Sequence, residues 1–272
     1  MSGNTVIPNV PMGNIIGIIV SFIISVGLPI ALCIIVRRKT KARISSFFIG
    51  AATFFVFALI LEQIMHIVVL GATGTTLTGN IWLYALYGGL AAGIFEETGR
   101  YLAMKLCMKK NLNKQNAIMY GVGHGGIEAI LLVGLSCISN LVVAITINSG
   151  VLTADLLKKS GLDGSTYQLA VSQLAELGTT PAWQFYMGGV ERIAAIIFHI
   201  SLSYLVYLAV KEKKMPFYLL AILLHFLIDA LAVISAAYLS ILAVELIMIL
   251  FSGTLGFVAW KMYHKPVLAD AK

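Results

Sequence analysis

The chain has 272 residues, 59% hydrophobic and 11% charged, and a net charge of +7. Soluble domains average about 25% charged residues, so a soluble fold is excluded. A nucleic-acid surface is excluded as well, because the bases fall mainly between apolar runs rather than on one polar face. Cys33, Cys107 and Cys137 form no CxxC pair and no disulfide framework. What remains is an all-α polytopic helix bundle in a lipid bilayer, read as a single domain over 1–272, with about 20 apolar residues per span.

In chain order the first segment, MSGNTVIPNVPMGN, has no Lys or Arg. It lacks the basic start of a cleaved signal peptide, so the first apolar run is read as retained. Seven spans are predicted, at about 13–36, 46–70, 80–104, 115–147, 183–210, 215–235 and 237–260. The fourth is long for one crossing and predicts a tilt, a break near Gly134 or an extension. Segment 148–182 is a sizeable loop with two short amphipathic stretches, VLTADLLKK and TYQLAVSQLAEL, expected outside the cell.

Fifteen of the nineteen Lys and Arg residues fall on one side of seven spans, after spans one, three, five and seven. Lys158 and Lys159 fall on the other side, and Arg100 and Arg192 lie within spans. The expectation is a multi-pass plasma-membrane protein with an external N-terminus and a cytoplasmic C-terminus.

Seven of the twelve acids and four of the five histidines fall inside the predicted spans. Each ionisable side chain at the bilayer centre costs about 2.5–3.5 kcal/mol on insertion scales, so these groups must face inward and satisfy one another. Measured from the nearest basic residue, Glu96, Glu97, His124, Glu128, His199, His225 and Asp229 share a layer about 12–22 Å deep. Glu96 and Arg100, His124 and Glu128, and His225 and Asp229 are each four apart and share a helix face. Glycines in YGVGHGG and YGGLAAG let helix backbones approach closely around this layer. Glu62 and His66 make a similar pair nearer the outer face and are assigned no chemistry.

Histidine nitrogens with carboxylate oxygens suit Zn²⁺ with a position open to water, whose pKa the metal would lower towards about 7. A free Glu could then act as general base, with an Arg holding a carboxylate or an oxyanion. That chemistry is amide hydrolysis within a membrane. There is no HExxH and no GxSxG.

EETGR (96–100) resembles the EExxxR first motif of the CAAX-protease and bacteriocin-processing superfamily, which includes the PrsW-like proteins. HFLID (225–229) resembles its terminal HxxxN/D motif. GHGGIEA (123–129) and ERIAAIIFH (191–199) are similar to segments of the YhfC family of intramembrane metalloproteases. The resemblance covers about 80–235 and implies a CAAX-protease-like catalytic core acting on a membrane-associated protein or peptide. It implies that Glu96 activates water with Glu97 and Arg100 beside it. It also implies that His199 and His225 hold the metal, helped by Glu128 or His124, with Asp229 orienting or supplementing His225. The Arg stands one position early relative to EExxxR, and Tyr120-to-His124 and His124-to-Glu128 compete for the second motif, FxxxH in the prenyl-protein proteases. A non-catalytic scaffold keeps the same residues, and a proton-coupled transporter uses buried acids and histidines too. No internal repeat supports the transporter.

Overall fold

The computed structural model describes residues 7–264, so Lys265 and Lys272, which complete the basic count above, lie outside the described residues. The described chain is helical, without strands. The helices are α1 (Met12–Thr40), α2 (Ile44–Thr73), α3 (Ile81–Leu102), α4 (Lys114–Asn148), α5 (Ala154–Lys159), α6 (Gly164–Thr179), α7 (Ala182–Lys211), α8 (Met215–Tyr238) and α9 (Ile241–Tyr263). A single short turn, Thr75–Thr78, joins α2 to α3.

Six of these, α1, α2, α4, α7, α8 and α9, are long and apolar enough to cross a membrane. The third predicted span also forms a helix: α3 is 22 residues long, and at about 1.5 Å per residue it matches a bilayer core of about 30 Å. Glu96, Glu97 and Arg100, all within it, keep it out of the apolar set. Large apolar side chains such as Ile67, Leu250 and Trp260 stay exposed along the bundle, as a lipid solvent requires.

The breaks between helices follow local chemistry. Asn80 and Asn113 cap α3 and α4 by accepting backbone N–H bonds through their side chains, and Ser240 does so for α9. Thr153 and Asp163 cap α5 and α6, which are the two stretches expected in the 148–182 loop. The basic turns after α1 and α7 each place a lysine, Lys41 and Lys213, at positive φ (60° and 56°). That is the left-handed conformation that ends a helix.

A π-helical turn follows α3 directly, at Ala103–Cys107, and three of the six candidate spans contain one, at Ile23–Gly27, Phe57–Glu62 and Ala129–Gly134. The last ends at Gly134, so the long fourth span is one helix with a wide turn rather than two broken pieces. Wide turns of this kind recur at functional sites, and two here adjoin buried acids, Glu62 and Glu128.

The chain resolves into two compact units. One comprises the chain up to Gly27 with Ile130–Arg192, and the other comprises Leu28–Ala129 with the chain from Ile193 onward. In the first, Asn148 exchanges bonds with the Val10 backbone at 2.7 and 2.9 Å, and Asn14 donates to the Leu177 and Thr180 carbonyls. In the second, α7 is buried continuously from Ser201 to Ala209 and forms the axis of the core with Met104, Tyr120, Tyr204 and Tyr207.

Glycines determine how near the neighbouring helices come. A Cβ on Gly123 would overlap the Phe47 carbonyl of α2, and one on Gly125 would meet the His199 side chain of α7 at 3.0 Å. A Cβ on Gly93 would lie 2.8 Å from the Ile222 carbonyl of α8. Backbones this close bring short side chains from α3, α4, α7 and α8 within bonding distance of one another.

Candidate metal centre

The second unit carries a buried polar cluster drawn from those four helices. Arg100 of α3 is fully buried, and each of its five N–H groups has an acceptor. Nε donates to Glu97 Oε2 at 2.9 Å, and Nη2 donates to Glu97 Oε1 at 3.0 Å and to His199 Nδ1 at 3.1 Å. Nη1 donates to the His199 carbonyl at 3.1 Å and to Ser203 Oγ at 2.5 Å. The two bonds to Glu97 form the bidentate pairing that makes an arginine–carboxylate bridge strong. A charge in this position is tolerable because no donor is left unmet.

The same guanidinium orients two histidines. An arginine N–H can only donate, so His199 Nδ1 accepts, and the proton of a neutral His199 ring sits on Nε2. Nε2 in turn lies 2.5 Å from Glu128 Oε2. Glu97, fixed by Arg100, holds His225 Nδ1 at 2.8 Å. That turns His225 Nε2 towards Glu96 Oε1 at 3.9 Å and Asp229 Oδ2 at 3.6 Å. A carboxylate behind the far nitrogen of an imidazole is the usual arrangement for fixing a metal-binding ring.

His124 lies between these groups. Its Nε2 is 2.8 Å from Glu96 Oε2, and its ring centroid is 4.9 Å from that of His199. His199 and His225 centroids are 5.6 Å apart. The His124 Nδ1 atom is buried with no hydrogen-bond partner.

Glu96, His124 and His199, all buried, each offer one ligand atom, and the three atoms lie within 4.8 Å of one another. Two nitrogens and a carboxylate oxygen are the donor set of a catalytic zinc site, which leaves a position open. Ligands held at about 2.0–2.1 Å from one ion would have to draw together slightly from these positions. By donor chemistry, by spacing and by the unmet His124 nitrogen, the residues fit a divalent transition metal, with His199 giving up either its Nε2 proton or the Arg100 bond at Nδ1 to ligate it.

The sequence reading brought eight residues to this site, and all eight lie in one cluster, with the Glu96–His124 pair approaching the rest through His225 at 3.9 Å and Asp229 standing 3.6 Å from His225. It gave Glu96 the role of proton acceptor, whereas here its carboxylate stands in the group that could hold the ion. It left His124 and Glu128 as alternatives, and here the His124 ring is fully buried against Glu96. It paired His124 with Glu128 by spacing, and here Glu128 meets His199 instead. His225 and Asp229 border the three-residue group without belonging to it. Ser203, which accepts from Arg100, went unnoticed; it stands four residues after His199, on the same helix face. Glu62, His66 and Tyr87 form their own chain, with His66 bonded to Glu62 at 3.2 Å and to Tyr87 at 2.7 Å.

The chain matches the family described as YhfC intramembrane metalloprotease over residues 24–249. It is 44% identical over 210 residues to the "Uncharacterized membrane protein YhfC" of Bacillus subtilis (strain 168), covering 76% of this chain and 79% of that protein. No solved structure matches the chain.

Proposed function

This chain belongs to the YhfC family, and on that premise we propose that it is a metal-dependent peptidase that cuts a membrane-associated protein or peptide. One observation carries the reading: the buried Glu96, His124 and His199 group, tied to a fully satisfied Arg100. The likeness of EETGR and HFLID to motifs of the CAAX-protease superfamily supports it from the sequence side.

Glu96, His124 and His199 would hold a divalent cation, Zn²⁺ by donor type, with His225 Nε2 bordering them 3.9 Å from Glu96. When bound, such an ion polarises a carbonyl and lowers the pKa of water towards about 7. The remaining steps belong to the chain. Glu128, against the His199 ring, is the carboxylate left to accept a proton and return it to the leaving amine. Glu97 and Arg100 keep His225 and His199 turned into the site and do not touch substrate. Asp229, whose side chain is 39% exposed, stands beside His225 at the accessible edge of the cluster.

We read α3 as a seventh span in a multi-pass plasma-membrane protein, with an external N-terminus and a cytoplasmic C-terminus. The clustering of bases after α1, α3, α7 and α9, the first, third, fifth and seventh spans, supports this.

The test compares protein N-termini in the membrane fraction of cells expressing the parent chain or Glu128→Gln. The substitution keeps the shape of the side chain and removes the base. N-termini that depend on the parent chain should fall about 10²–10⁴-fold in the variant. Identical N-termini in both cell lines, with equal amounts of protein in the membrane, would sink the peptidase reading.

A further inference from the structure

One end of the second unit is rich in bases, and the one acid in its α7–α8 turn, Glu212, is paired with Lys214. The stretches 28–43, 105–118 and 257–264 contain ten Lys and Arg residues and no Asp or Glu. The structure brings them together. The Arg43 backbone N–H donates to Asn116 Oδ1 at 2.8 Å, and Lys114 Nζ lies 3.4 Å from the Tyr263 carbonyl.

Among these bases lies a cavity of about 270 Å³. Its walls are apolar, formed by Val36, Ile118, Ile200 and Trp260, with Gln115 and Tyr263 also lining it. A base is the chain neighbour of three lining residues: Arg37 follows Val36, Lys114 precedes Gln115, and Lys261 follows Trp260. Lys114 lies over the Tyr263 ring, 4.8 Å from its centroid. The metal cluster uses none of these residues.

We infer that this cavity takes one acyl chain of an anionic phospholipid, with the lipid phosphate held by Lys114 and the neighbouring bases. The two halves of the argument are chemically separate. Apolar walls at the end of a spanning bundle accept a hydrocarbon chain and offer a phosphate nothing. The basic rim accepts a phosphate and gains nothing from a neutral headgroup. A lipid with a net negative headgroup satisfies both at once.

The test is native mass spectrometry of the detergent-purified full chain, titrated with phosphatidylglycerol or phosphatidylcholine of identical acyl chains. Phosphatidylglycerol should bind more tightly. Lys114→Gln should weaken it about fivefold and leave phosphatidylcholine unchanged, the effect expected for one surface base. Ile118→Trp, which fills the cavity, should reduce both lipids. If that variant does not fold, Val36→Phe at the partly exposed edge of the cavity gives the same reading. Equal affinity for the two lipids would overturn the inference. So would unchanged phosphatidylglycerol binding in Lys114→Gln or in a folded cavity-filling variant.

Discussion

Replacing Arg100 with Met keeps the unbranched stem of the side chain and removes every donor. The parent residue makes five bonds, two of them bidentate to Glu97, and both side chains are fully buried. Three of the five bonds run between helices, where each averages about 0.6 kcal/mol in a membrane, so together they amount to about 2 kcal/mol. Removing one partner of a buried ion pair costs about 3–5 kcal/mol by a separate route, because the other charge is stranded. The two figures overlap, and the stranded Glu97 charge sets the larger value. Arg100→Met should therefore lose about 3–5 kcal/mol. The double variant Glu97→Gln, Arg100→Met removes the stranded charge and should recover about 1–3 kcal/mol relative to the sum of the single changes. Unfolding in mixed micelles, titrated with sodium dodecyl sulfate and followed by tryptophan fluorescence, measures each step. A loss under about 0.5 kcal/mol in the single variant, or strict additivity in the double, would refute the account of Arg100 as the group that holds this site together.

Three further outcomes follow from the same geometry. Gly123→Ala puts a methyl into the Phe47 carbonyl and should cost about 1–3 kcal/mol, whereas Gly88→Ala meets nothing within 4 Å and should be neutral or stabilising by up to about 1 kcal/mol in the same micelle titration. Ser203→Ala removes one acceptor from Arg100 and should cost about 1 kcal/mol in that assay, with retained metal content. Reporter fusions at Lys110 and Lys272 should both report the cytoplasm, and disagreement between them would show that the span count after α3 is wrong; a Lys110 fusion on the opposite side from one at Lys41 would show that α3 does not cross.

The helices were largely legible in the sequence because the bilayer sets their length: the predicted 215–235 and 183–210 appear as Met215–Tyr238 and Ala182–Lys211. The π turns were not, because an extra residue in a turn changes neither hydropathy nor length. Depth was legible too, since counting residues from a basic flank places a side chain along a helix axis. That is why Glu96, His124, His199 and His225 could be assigned to one layer. Rotation about each axis was not legible. Spacing alone pairs His124 with Glu128, four residues on, but packing between helices turns His124 to Glu96 and leaves Glu128 to His199. The Glu97–Arg100 pair shows the same limit on a single helix. Either acid of Glu96-Glu97 is within reach of Arg100 by sequence, and the choice of Glu97 rests on α7, whose His199 and Ser203 take the remaining donors.

The central claim is that Glu96, His124 and His199 hold a divalent cation inside the bundle. Elemental analysis of the full chain, purified without a metal-affinity step and equilibrated with Zn²⁺, tests it without any substrate. The account predicts about one Zn²⁺ per chain in the parent and in Glu128→Gln, and a loss of at least tenfold in occupancy in Glu96→Ala and His124→Ala at limiting metal. A parent chain that binds no metal, or folded Glu96→Ala and His124→Ala variants that bind as much as the parent, would contradict it.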